Sequence, residues 1–183
     1  MGREEGIDVL LSEDKIKTRV RELAEEISRD YQGKAPVIVG VLQGAFVFVA
    51  DLVRQLDLPV SVDFMRVSSY GEKLLTSGEV KILLDLTTPI ANRDVILVED
   101  IVDTGLTIEY LTASLLARKP ESFTTCALLQ KPTNNLSVHP VDYLGFTIEN
   151  HFVVGYGLDF SGKYRELPYV GVLPASLREG LAG

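Results

Sequence analysis

The residues best able to do chemistry stand together: Glu99, Asp100, Asp103, Thr104, Gly105 and Thr107. They follow four apolar residues, Val95 to Val98, and precede Ile108, Leu111 and Leu115 at helical spacing. An apolar run without polar alternation predicts a buried strand, and the later spacing predicts a helix. The acids and threonines therefore sit at a strand–turn–helix junction. Free backbone N–H groups there form an anion cradle, helped by the positive end of the helix dipole. Gly105 lets the backbone come close to a phosphate, and Thr104 and Thr107 add hydroxyl donors. Two acids just before such a cradle would repel the phosphate itself. They suit ribose hydroxyls or a divalent cation. The chemistry implied is a sugar phosphate with a metal.

The elements around this stretch repeat its logic. Val37 to Leu42 predicts a second buried strand, followed by Gln43-Gly44 and a helix with Phe46, Val49, Val53 and Leu56 on one side. Its backbone N–H groups are a second place for an anion. Ser12 starts a helix over about residues 13–32, closed by Gly33. Val60, Val62 and Phe64 alternate with Ser61 and Asp63, and Val80, Ile82 and Leu84 alternate with Glu79, Lys81 and Asp85. Each pattern predicts a half-exposed strand. Ser68 to Gly78 between them is too long and mixed for a tight hairpin, and reads as a flexible loop able to exclude water. Arg118, Lys119 and Pro120 end the central helix. Phe123 to Leu129 predicts a buried strand with Lys131 at its exit, and ligands of open α/β sheets bind at the carboxyl ends of strands. A loop follows from Thr133 to Asp142, then a last strand from Tyr169 to Leu173 and a loose tail from Leu177 to Gly183. Buried strands alternating with helices define the fold class as α/β, a central parallel sheet flanked by helices.

With 183 residues the chain has room for one domain with a sizeable core. Its net charge of −8 argues against nucleic acid or an anionic membrane as partner. The single Cys126 excludes an intrachain disulfide framework and lies in an apolar run, where it reads as a buried structural thiol. His139 and His151 lack metal-ligand spacing and read as structural or solvated. No apolar run approaches membrane-spanning length and the first eleven residues hold no apolar signal core, so the cytoplasm is the expected compartment.

The ordered string Glu99-Asp100-Ile101-Val102-Asp103-Thr104-Gly105 behind an apolar strand resembles the phosphoribosyl-pyrophosphate signature of the type I phosphoribosyltransferases, in the form of the hypoxanthine–guanine branch. The resemblance covers roughly Val37 to Leu173. It implies a small hood or cap built from the N-terminal and C-terminal segments beside a core of about residues 35–130. It also implies a homodimer or homotetramer. By the same resemblance, Glu99, Asp100, Asp103, Thr104, Gly105, Leu106 and Thr107 hold the ribose and the 5′-phosphate. Gln43, Gly44, Ser69, Tyr70 and Arg165 meet the pyrophosphate, while Lys131, Phe152, Val153 and Asp159 meet the purine. Glu99, Asp100 and Asp159 serve Mg2+, and Asp103 accepts the purine N7 proton. One departure stands out, because the family usually has Lys or Arg where this chain has Gln43. Arg165 is the local cation able to offset it. A second departure, Gly157 where relatives often have alanine, reads as minor. The expected activity is Mg2+-dependent transfer of 5-phosphoribosyl from phosphoribosyl pyrophosphate to hypoxanthine or guanine. A xanthine-preferring transferase and a non-catalytic sensor of the sugar pyrophosphate are the alternatives. The acidic charge and the retention of Lys131 and Asp103 speak against the sensor.

Overall fold

The computed structural model describes residues 6–68, 81–132 and 139–179. In chain order the elements are β1 (Asp8–Leu11), α1 (Glu13–Asp30), β2 (Val37–Leu42), α2 (Phe46–Gln55), β3 (Ser61–Ser68), β4 (Lys81–Leu84), β5 (Asp94–Val102), α3 (Leu106–Leu116), β6 (Ser122–Gln130), β7 (Tyr143–Thr147), β8 (Val153–Val154), β9 (Val170–Val172) and α4 (Ala175–Glu179). The large sheet runs β4-β3-β2-β5-β6-β7 and is parallel except where β4 pairs antiparallel with β3. A second sheet, β1-β9-β8, is antiparallel and joins the two ends of the chain.

The apolar runs in β2 and β5 are continuous because both faces of the sheet are covered. On one face Ile38, Ile96, Val98, Cys126 and Leu128 pack with Ile16, Val20, Leu23 and Ile27 of α1 and Phe48, Val49 and Leu52 of α2. On the other, Val37, Val39, Val41, Val95, Leu97 and Ala127 pack with Ile108, Leu111 and Leu115 of α3. Burying each such side chain contributes about 1.5–3 kcal/mol, so the central strands fix the frame. α1 begins as expected, with the Ser12 hydroxyl accepting the Lys15 N–H at 3.4 Å.

Several expectations are corrected. α1 ends at Asp30, two residues early. The buried face of α2 is Phe48, Val49 and Leu52, while Phe46 is 44% exposed. Gln43 to Ala45 form the turn, which rotates the helix relative to its apolar pattern. Val62 is exposed on β3, where Met65 carries the burial. Strands β1 and β7 were not foreseen from the pattern, and Leu177 to Glu179 belong to α4 rather than to a loose tail.

Asp63 ties the segment after β4 back onto β3. Its carboxylate accepts the backbone N–H groups of Thr87 at 2.9 Å, Thr88 at 2.7 Å and Phe64 at 2.8 Å. Burial pushes this carboxyl up, but the donors of Thr88, Phe64 and Thr87 together outweigh it and bring it to about 2. A depressed folded pKa stabilises above the unfolded value of about 3.9, and that stability is lost as pH falls through the folded value. Asp63→Asn should therefore lower the melting temperature at neutral pH and flatten its fall between about pH 4 and pH 2. A variant melting with the wild-type pH profile would remove Asp63 from this role.

Candidate active site

The chemistry-bearing residues gather at the carboxyl ends of β2, β5 and β6. The acids Glu99 and Asp100 lie within β5, not after it. Glu99 is only 6% exposed, and its carboxylate accepts the Asp100 backbone N–H at 3.3 Å. Asp100 Oδ1 accepts the Ile101 N–H at 2.8 Å. Burial first, and then the neighbouring Asp100 charge, hold the Glu99 carboxyl well above the usual range. Burial also raises Asp100, against the pull of the Ile101 N–H and, more weakly, of Arg165.

β5 then opens into the cradle. Gly105 has φ +79° and stands at the N-cap of α3, where it has no side chain to cap the helix. Thr104 Oγ1 stands 3.5 Å from the Leu106 N–H. A cavity of about 90 Å³ lies here, lined by Glu99, Asp103, Thr104, Gly105, Thr107 and Ile108 among others. Hydroxyls, the N–H groups of the first helical turn and an αL glycine around a small cavity suit a phosphate-sized anion. Leu106 is 57% exposed, so only its backbone serves the cradle.

Beside it, Lys131 leaves β6 and donates from Nζ to Asp103 Oδ2 at 2.8 Å. Its backbone N–H bonds to the Val102 carbonyl at 2.9 Å, which fixes the two strand ends side by side. Lys131 is 6% exposed, and a buried ammonium is tolerated because it is paired.

The turn after β2 approaches the same place through glycine backbone. The Leu42–Gln43 peptide is cis. A Cβ at Gly44 would fall 1.5 Å from Asp100 Oδ2, and one at Gly157 would fall 2.1 Å from the Gly44 carbonyl oxygen. Gly157 also has φ +98°, so alanine there is no minor change in this chain. Arg165 closes the group. It donates from Nη1 to the Gly157 carbonyl at 2.6 Å and from Nη2 to Gln43 Oε1 at 3.4 Å, and pairs with Asp159 Oδ1 at 2.7 Å. The cation expected to offset Gln43 thus touches it.

Asp159 stands apart from the acid pair in its contacts. Arg165 holds one oxygen and the Gly162 N–H reaches the other at 2.8 Å. Among the described residues no three Asp, Glu, His or Cys side chains are grouped to hold a metal. Glu99, Asp100 and Asp159 each carry hard-oxygen donors of the kind Mg2+ takes, the first two adjacent in β5. Phe152 is 38% exposed, with Phe160 edge-on at 5.5 Å, and Val153 is buried in β8. Ser69 and Tyr70 lie outside the described residues.

Cys126 is fully buried and its thiol is pushed up by that burial, so it is no nucleophile. His139 and His151 lie near Glu109 and Glu149 at 3.7 and 3.3 Å on the surface. Sequence reasoning passed over Tyr156, between Gly155 and Gly157. Its hydroxyl donates to Asp51 at 2.7 Å and ties this segment to α2. The glycines on either side, both with positive φ, were the available signal.

The model of the phosphoribosyl transferase domain family matches residues 6–161. The chain is 45% identical over 171 residues to the hypoxanthine-guanine phosphoribosyltransferase of Bacillus subtilis, covering 93% of this chain and 95% of that protein. It is 46% identical over 165 residues to the bifunctional protein TilS/HprT of Listeria innocua, 90% of this chain but only 26% of that longer protein. Among solved structures, that of Trypanosoma cruzi hypoxanthine phosphoribosyl transferase superposes with a TM-score of 0.91 at 41% identity, covering 98% of each chain.

A raised carboxyl destabilises the folded state once it must ionise. The folded form of Glu99 binds its proton more tightly than the unfolded form, so stability is lost as pH rises above the unfolded value of about 4.3. Glu99→Gln should melt above the wild type near pH 7.5, and the gain should vanish near pH 4. An equal gain at both pH values, or none at pH 7.5, would contradict this burial effect.

Proposed function

The chain belongs to the phosphoribosyl transferase family, and from that premise we propose that it transfers 5-phosphoribosyl from phosphoribosyl pyrophosphate to hypoxanthine or guanine in purine salvage. The whole chain forms one such domain, with a core of about residues 35–130. The β1-β9-β8 sheet, which joins the N-terminal and C-terminal segments, supports the hood. The observation that carries the reading is the Lys131–Asp103 pair at 2.8 Å, whose Asp103 lines the same cavity as Glu99 and the cradle residues Thr104, Gly105 and Thr107.

In this reading the backbone N–H groups and hydroxyls of Thr104 to Thr107 donate to the 5′-phosphate and fix the sugar for in-line attack. Glu99 and Asp100 accept from the ribose hydroxyls. N9 of the base attacks C1′, the bond from C1′ to the pyrophosphate oxygen breaks, and pyrophosphate leaves with the electron pair. The N7 proton passes to Asp103, which raises the nucleophilicity of N9 as the bond forms. The Lys131 ammonium has three donors, so it can hold Asp103 and still donate to the purine O6. A 6-amino group would set donor against donor, which disfavours adenine. Phe152 stacks on the base, the Val153 backbone meets its edge, and Asp159, held by Arg165, lies near the purine and the metal. Arg165, with Gln43, Gly44, Ser69 and Tyr70, receives the pyrophosphate. Mg2+ held by Glu99, Asp100 and Asp159 would supply charge neutralisation to the leaving group. The tightly packed acid pair fits such a cation. A homodimer or homotetramer in the cytoplasm completes the reading. No helix among the described residues is long and apolar enough to cross a membrane.

Nucleotide formation from hypoxanthine, guanine, xanthine and adenine, each with phosphoribosyl pyrophosphate and with or without Mg2+, tests the proposal. Metal-dependent product from hypoxanthine or guanine is expected. Product from xanthine alone would reassign the base, and product from none would mark a sensor. Asp103→Asn should lower kcat by about 10²–10⁴-fold with the fold retained, as expected for loss of a general base. Wild-type turnover would remove Asp103 from that role. Arg165→Ala should weaken pyrophosphate binding about tenfold or more by calorimetry, the scale of a lost charged hydrogen bond. Unchanged affinity would place the leaving group elsewhere.

A further inference from the structure

The short helix α4 does more than end the chain. Its backbone is anchored by the Leu177 and Arg178 N–H groups on the Pro174 carbonyl at 3.1 and 3.4 Å. Leu177 packs with the cluster of Ile7, Val154, Leu167 and Leu173 beneath the small sheet. These contacts carry Arg178 over Phe152, with the guanidinium carbon 5.3 Å from the ring centroid. Arg178 Nε is buried and has no hydrogen-bond partner among the described residues. Its contact with the ring face is then what orients that end of the side chain.

Phe152 is held from three sides. Its backbone carbonyl accepts the Leu173 N–H at 2.9 Å, Phe160 meets the ring at 90°, and Arg178 covers one face. The ring nevertheless stays 38% exposed. That exposure leaves part of the ring open to a planar ligand.

We infer that Arg178 is a positioning residue for the base. It clamps Phe152 from behind so that the opposite face is presented as a rigid stacking platform. A cation on one side draws π density toward itself. The other face then stacks better against a base rich in ring nitrogens and carbonyls. The inference rests on Phe152 being the purine platform, as proposed above, and it assigns to the C-terminal helix a part in binding the base rather than the sugar.

Steady-state kinetics of Arg178→Ala, Arg178→Lys and Phe152→Leu, with hypoxanthine and phosphoribosyl pyrophosphate varied separately, test it. Arg178→Ala should raise the KM for hypoxanthine by about three- to tenfold, the scale of a partly buried cation–π contact. The KM for phosphoribosyl pyrophosphate should stay within about twofold, and Arg178→Lys should recover most of the loss. An unchanged hypoxanthine KM, or a lower one, would overturn the clamp. Equal rises in both KM values would also overturn it, since a loosened hood has no preference for the base. Phe152→Leu with a wild-type hypoxanthine KM would instead overturn the platform reading on which the clamp depends.

Discussion

The site depends on the absence of a side chain at residue 44. The Gly44 backbone lies so close to Asp100 that a Cβ would overlap the carboxylate, and a Cβ at Gly157 would in turn overlap the Gly44 carbonyl. Three segments far apart in the chain, the turn after β2, the acids of β5 and the residues before Arg165, meet where the Gly44 backbone leaves room for them. Glu99 is buried and Asp100 half-buried, and burial is the first cause of their raised carboxyls.

The parallel sheet supplies the rest of the convergence. Strands β2, β5 and β6 are neighbours in register, with Gly40 opposite Val98 and Val98 opposite Cys126, so their carboxyl ends open at one level. Each end delivers something different: a glycine turn, an acid pair with an anion cradle, and a buried lysine. The small sheet then adds Phe152 and the strap that carries Arg165. Stability and function pull apart here, because the buried acids and the buried ammonium are tolerated only through their immediate partners.

Much of this was legible in the sequence. The unbroken apolar runs at Val37 to Val41 and Val95 to Val98 announced buried strands, and the order of acids, threonines and glycine after the second announced the cradle. The face of α2 was misjudged because apolar residues occur all along it, and the starting residue, not the pattern, sets which of them turn inward. β7 was missed because Tyr143-Leu-Gly-Phe-Thr147 is short, holds a glycine and lies at the sheet edge, where burial is partial. Lys131 beside Asp103, and Arg165 beside Gln43, are products of tertiary packing across 28 and 122 positions, which no local pattern encodes. The same holds for Arg178, whose partner is reached only once α4 folds back.

The most direct test of this account is the affinity of Gly44→Ala for phosphoribosyl pyrophosphate, measured by calorimetry with Mg2+ on protein shown to be folded by circular dichroism. An added methyl group must displace either Asp100 or the turn. The account predicts a loss of at least about 100-fold, equivalent to roughly 2.7 kcal/mol. Wild-type affinity in a folded Gly44→Ala protein would contradict it, since the site would then not depend on the backbone contact between residue 44 and the acid pair.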